Sequence, residues 1–126
     1  MNQYVEEAKK FYEEAVKEFE KGEKEEDMIR IREASEKAWN ATLQATDGLI
    51  VKKGMNKPTS HYERRKILAE LAKIDPNVRK KGIRDRYMAR EQSLHEDCFY
   101  TGICPTPLIE EDIQKVKKYI ADIEEL

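Results

Sequence analysis

Two residues of this 126-residue chain, Arg90 and His95, have the types and spacing to handle a phosphate and a proton together. A guanidinium is permanently charged and grips phosphate oxygens through a planar fork, while an imidazole exchanges protons near neutral pH. Those are the needs of RNA cleavage in which a ribose 2′-hydroxyl attacks its neighbouring phosphate. His95 would act as acid or base and Arg90 would stabilise the developing charge, with no metal or cofactor required. On a regular α-helix a five-residue step places two side chains about 140° apart. One chain alone would not pair them, whereas two copies facing each other across a dimer would bring both to one cleft. The competing explanation is that an Arg and a His five apart simply occur on a helix.

The remaining candidates are few. His61 falls in the first turn of a predicted helix, a position that suits a surface or capping residue better than a base. Cys98 and Cys104 are the two cysteines. They read either as free thiols or, with Gly102 between them, as a small disulfide of the kind that intracellular proteins of hyperthermophiles tolerate. A metal site from His95, Cys98 and Cys104 would lack a fourth ligand and the usual paired spacing. No Gly-rich phosphate loop, H-E-x-x-H, G-x-S-x-G or paired-cysteine zinc signature occurs.

The elements that would carry these residues follow from hydrophobic periodicity, which predicts one all-α domain over 1–126, an up-and-down bundle of four to five antiparallel helices. The first helix runs from Asn2 to Lys21, with Tyr4, Val5, Ala8, Phe11, Tyr12, Ala15, Val16 and Phe19 on one face and Gly22 as its stop. The second runs from the N-cap Asp27 to Val51. Its seam is Met28, Ile31, Ala34, Ala38, Ala41, Ala45 and Leu49, with Trp39 beside it. Ser60 and Glu63 form a capping box for a third helix, His61 to Lys73, which turns Tyr62, Leu68, Leu71 and Ala72 inward. Asp75-Pro76 makes the next turn. The fourth helix spans Asn77 to Tyr100, with Gly82 as a weak point and Ile83, Tyr87, Leu94 and Cys98 buried. Thr106-Pro107 starts a fifth, with Glu110, Glu111 and Asp112 in its first turn and Ile109, Ile113, Val116, Ile120 and Ile123 inward. Trp39, Tyr87, Phe99 and Tyr100 could stack bases, but at helical spacing they read as core.

Charged residues are 40% of the chain, rich in Lys and Glu, as in long solvated helices and in proteins from hot environments. The net charge of −2 is unevenly spread. From Lys52 to Arg90 there are 13 bases and 4 acids, giving +9; residues 1–36 carry 7 − 12 = −5 and residues 91–126 carry 3 − 9 = −6. A basic middle offers an anion-binding surface, with Lys81, Arg84 and Arg86 leading toward Arg90 and Glu91 beside it; otherwise those charges pair with the acidic ends. No stretch approaches the roughly 20 apolar residues of a membrane span, and no signal segment is visible, so the expected compartment is the cytoplasm without membrane association.

The segments REASEKAWNATLQATDGLI, PTSHYERRKILAEL and AREQSLHEDCFY together resemble the HEPN superfamily, and within it the archaeal PaREP-like branch, in which an E-K-A-W helix precedes an L-H-x-x-F-Y helix. The matching positions are Glu36-Lys37-Ala38-Trp39, His61, and Leu94-His95 with Phe99-Tyr100. The resemblance implies a four- to five-helix bundle that commonly forms homodimers. Many such proteins are metal-independent ribonucleases with an R-x4-6-H motif at the dimer cleft, and Arg90 and His95 fit it as R-x4-H. Others are non-catalytic modules that bind a nucleotide, RNA or protein, and some are toxins paired with a nucleotidyltransferase antitoxin. Two positions depart from the active pattern. Glu91 stands where Asn, Asp or His is usual and would repel phosphate, and Asp97 replaces the tyrosine that antitoxin-modified members carry.

Overall fold

In a computed structural model that describes residues 3–126, the chain is an all-α bundle, with no strand among the described residues. The helices are α1 (Gln3–Lys24), α2 (Met28–Lys52), α3 (His61–Ile74), α4 (Pro76–Lys80), α5 (Ile83–Arg90) and α6 (Thr106–Glu124). Between α5 and the loop before α6 the helix continues as a π-helical segment, Glu91–Tyr100. No helix among the described residues is long and apolar enough to cross a membrane. Position 2, the expected start of the first helix, lies outside the described residues.

The three-residue connection Glu25–Asp27 folds α1 back along α2 as a helical hairpin, the most extensive contact in the molecule. Asp27 caps α2 as its position predicts, accepting from the Ile29 and Arg30 amides at 3.0 and 3.3 Å. The alanine seam is fully buried, and α2 touches every other helix except the short α4. Small side chains explain this: they let several helices approach one axis closely, which larger residues would keep apart. Val5, Ala8, Ala15 and Phe19 of α1, Leu68 and Leu71 of α3, and all five predicted aliphatics of α6 complete the core.

The expectations fail at several ends and edges. Gly22 does not stop α1, which continues through Lys24. A Cβ there would sit 2.9 Å from the Arg30 Cβ and 3.1 Å from the Ile31 amide nitrogen, so this glycine permits the close crossing of the hairpin. The fourth helix is not continuous, because Gly82 adopts a left-handed conformation (φ 61°) and separates α4 from α5. Asp75 caps the short α4 through the Asn77 and Val78 amides. Met28 and Tyr62, read as inward, are exposed. In the capping box the Ser60 hydroxyl accepts from the Glu63 amide at 3.0 Å, but Glu63 reaches back to Thr59. Helix α6 begins at Thr106 itself, so its acids fall beyond the first turn.

Gly22→Ala is expected to destabilise the protein by about 1 kcal/mol net. Overpacking costs about 1–3 kcal/mol, offset by roughly 1 kcal/mol of improved helix propensity. Urea unfolding measures it, and a gain in stability would show that the α1–α2 crossing gives way freely.

Candidate functional site around His95

Four side chains on one face of α2, at positions 32, 35, 36 and 39, grip the π segment; this i, i+3, i+4, i+7 spacing puts them in one row. Arg32 donates from Nε and Nη2 to the Phe99 carbonyl at 3.1 and 2.6 Å, and from Nη2 to the Tyr100 carbonyl at 3.2 Å. Its charge therefore sits at the negative end of the helix, on carbonyls left without helical partners. The Ser35 hydroxyl donates to the Leu94 carbonyl. His95 Nδ1 donates to Glu36 Oε1 at 2.8 Å, and the Trp39 ring stacks on the imidazole with centroids 5.5 Å apart. A carboxylate on Nδ1 fixes both tautomer and ring orientation, leaving Nε2 as the nitrogen available for proton exchange.

Helix α3 brings the second imidazole. The His61 ring meets that of His95 edge-on at 5.2 Å and meets Trp39 at 5.4 Å. Tyr87 of α5 packs on Trp39 at 5.2 Å from within the core. Phe99 and Tyr100 close the outer side of His95, with centroids at 6.4 and 4.8 Å. His95 is 8% exposed and Tyr100 64% exposed, so Tyr100 is the solvent-facing member of the cluster. Tyr100 is thus not the core residue its spacing predicts.

Burial, modified by neighbouring charges, shifts two members of this cluster. Burial raises the Glu36 carboxyl above the usual range, and the hydrogen bond from His95 opposes the shift. Burial lowers the His61 imidazole; Glu91 works against that shift, while His95, Arg64 and Arg65 reinforce it. Arg64 is held by Asp47 through a two-point fork, Nε to Oδ1 at 2.7 Å and Nη2 to Oδ2 at 3.1 Å, and its Nη1 lies 3.5 Å from His61 Nδ1. Glu91 is neutralised locally: Arg65 Nη1 donates to both of its carboxylate oxygens, at 2.8 and 2.7 Å.

Arg90 and His95 engage different helices. His95 turns toward α2 and α3, whereas Arg90, its side chain 13% exposed, reaches α6 and pairs with Asp112 at 3.3 Å. Arg86 pairs with Asp122 at 2.9 Å and Lys81 with Glu125 at 2.8 Å. Arg84 is exposed and makes no ion pair among the described residues. Sequence reasoning passed over Glu36 and His61 as partners of His95; the signal for both was their place among the few sharply matching positions.

Cys98 and Cys104 are joined in a disulfide, with Cα atoms 4.6 Å apart. The bond takes both thiolates out of any metal set with His95. Three residues past His95, it ties the end of the π segment to the following loop. There the Thr101 amide donates to the Glu96 carbonyl at 3.0 Å, the i→i+5 pattern of a π-helix. A Cβ at the left-handed Gly102 beyond it would meet the Arg32 guanidinium at 3.5 Å.

The fold and cluster define a helical-bundle protein whose one enclosed imidazole–carboxylate pair is assembled from three helical segments. Residues 3–120 match the archaeal PaREP1/PaREP8 family, and the chain belongs to it. No curated protein and no solved structure matches the chain.

Because His61 binds its proton less readily when folded, the unfolded chain takes up more protons as pH falls from 6.5. The His61 contribution to stability is full above that value and declines below it. The urea midpoint is expected to drop between pH 7.5 and 5.5, with a shallower drop in His61→Gln; equal slopes would remove His61 from the acid response. Reduction of the disulfide should cost roughly 2 kcal/mol for so short a loop. Unfolding with and without reductant measures that loss, and an unchanged midpoint would show the loop to be held by its hydrogen bonds alone.

Proposed function

We propose that the chain is an HEPN-like domain that works as a homodimer and binds RNA or a nucleotide at the His95 cluster. One observation carries this reading. Glu36 and Trp39, His61, and His95 with Phe99 and Tyr100 come from three separated segments, yet they meet in one cluster. A packing role alone does not require two histidines and a carboxylate beside a buried indole, since each polar group removed from water costs stability unless it is satisfied. Aromatic rims suit unpaired bases, which makes the exposed Tyr100 face a natural contact for a nucleobase.

Metal-independent ribonuclease activity is the catalytic form of this reading, and the Glu36–His95 hydrogen bond favours it. The Nε2 of an imidazole oriented in this way can accept the ribose 2′-hydroxyl proton or return one to the leaving oxygen. Since Arg90 faces α6 in its own chain, a phosphate held by Arg90 beside a His95 site calls for a second copy. The non-catalytic form is favoured by the pairing of Arg90, Arg86 and Lys81 with acids of the C-terminal segment, because a cation already paired contributes less to a phosphate.

Cleavage of a mixed pool of labelled RNAs in chelator separates these forms. The ribonuclease reading expects activity that falls by about 10²-fold or more in His95→Ala, and by about 10- to 100-fold in Glu36→Gln. Salt-sensitive binding without cleavage, weakened by His95→Ala, assigns a recognition module. Neither cleavage nor binding would sink the proposal and leave the cluster as part of a structural dimer.

A further inference from the structure

The disulfide stands where an exposed connection meets the His95 cluster. Of residues 101–105, Cys104 alone is buried, while Thr101, Gly102, Ile103 and Pro105 are exposed. The amides of Thr101, Gly102 and Ile103 donate back to the Glu96, Cys98 and Asp97 carbonyls at 3.0, 3.0 and 2.8 Å. Beyond Ile103, the bond to Cys98 holds the chain against the bundle until Ile109 enters the core. Arg32 lies next to it, donating to the Phe99 and Tyr100 carbonyls, and a Cβ at Gly102 would stand 3.5 Å from its guanidinium. The connection therefore lies beside the donor that fixes Phe99 and Tyr100 against His95.

Two features mark this bond as a switch rather than a staple. Its ends are six residues apart, and a loop so short restricts the unfolded chain little. The bond is also open to attack from one side. Cys98 is fully buried whereas Cys104 is 8% exposed, so access selects the Cys104 sulfur. A thiolate that attacks Cys104 Sγ forms a mixed disulfide there and expels the Cys98 sulfur, which takes up a proton. The second thiol of a dithiol reagent then attacks the reagent sulfur of that mixed disulfide, and Cys104 leaves as a thiol. The protein gains two electrons and two protons, and the dithiol becomes a disulfide.

We propose that the disulfide of Cys98 and Cys104 is a redox latch, opened by a dithiol reductant and closed by a disulfide oxidant, that keeps Phe99 and Tyr100 in order beside His95. In the open form Cys104 loses its anchor, the Gly102 turn moves off Arg32, and water competes for the guanidinium donors. Phe99 and Tyr100 then lose their fixed place, while Glu36 and Trp39 of α2 keep their contacts with the imidazole. The latch stands on this geometry alone; its effect on a bound nucleobase rests on the RNA-binding reading.

The test compares the whole protein before and after treatment with dithiothreitol in the absence of denaturant. Alkylation and mass count the thiols, amide hydrogen exchange follows the connection, and the ring resonances of the two histidines follow the cluster. Reduction is expected to proceed in the folded state and to leave helix content unchanged. Exchange at the Thr101, Gly102 and Ile103 amides should quicken by about tenfold or more. The His95 resonances should shift, and reoxidation should restore them. Cys104→Ser, which keeps the buried Cys98 in the core, should reproduce the reduced form and no longer respond to the dithiol. Reduction that requires urea or melts the helices overturns the latch and leaves a structural bond. Exchange and His95 resonances equal in both forms overturn it as well, a comparison that the wild type supplies even if the variant fails to fold. Binding of labelled oligouridylate to both forms separates the latch from the RNA-binding reading. Weaker binding after reduction supports both, whereas equal binding with unmoved resonances overturns the latch and keeps the RNA site. Absence of binding in either form removes the RNA site, and exchange with the His95 resonances then decides the latch alone.

Discussion

Trp39 is the contact on which the arrangement of the other helices depends. Its indole is fully buried on the central helix and touches a side chain from each of three neighbours: His61 on α3, Tyr87 on α5 and His95 on the π segment. A large rigid ring at that junction sets the separation and rotation of all three. Emptying such a volume typically costs about 3–5 kcal/mol, because surrounding elements collapse only partly into the void. The alanines above and below it along α2 do the opposite work, letting α1 and α6 close on the same helix.

Around that junction the buried charges are paired, although the Trp39 Nε1 and the Tyr87 hydroxyl are buried without a hydrogen-bond partner among the described residues. Asp47 holds Arg64, Glu36 holds His95, Glu91 holds Arg65, and the Thr46 hydroxyl meets the Tyr119 hydroxyl at 2.6 Å. Buried charge is tolerable only on such terms, and breaking one partner leaves the other stranded. The π-helical segment belongs to the same logic. Its carbonyls at Leu94, Phe99 and Tyr100 accept from Ser35 and Arg32, so α2 supplies donors to the segment that presents His95. The disulfide and the Gly102 turn then hold its end in place.

The charge pattern acquires a different meaning in three dimensions. The basic run ending at Arg90 and the acidic C-terminal helix are separate in sequence, yet α5 and α6 lie side by side, and Asp112 and Asp122 draw five cations into one groove. His95 meanwhile lies on the opposite partner set, against α2 and α3. One helical stretch thus presents an imidazole and a guanidinium to different surroundings.

The sequence by itself determined the helical class, the place of most helices, the buried stripes of α2 and α6, the Asp27 and Ser60 caps and the turn at Asp75-Pro76. These are local: periodicity and capping act within a turn or two of chain, so residue order alone encodes them. It also marked Glu36, Trp39, His61 and His95 as worth attention, without saying that they touch. Their meeting is decided by how three helices pack on the indole, and interhelical rotation depends on side chains far apart in the chain. The role of Gly22 as a crossing point, the break at Gly82, the π-helical widening after Arg90 and the disulfide were likewise settled only in the fold. Each depends on a neighbour such as Arg30, Arg32 or Cys104 whose position no local pattern specifies. The same reason explains Arg90 and His95: their spacing was legible, but the helices they would face were not.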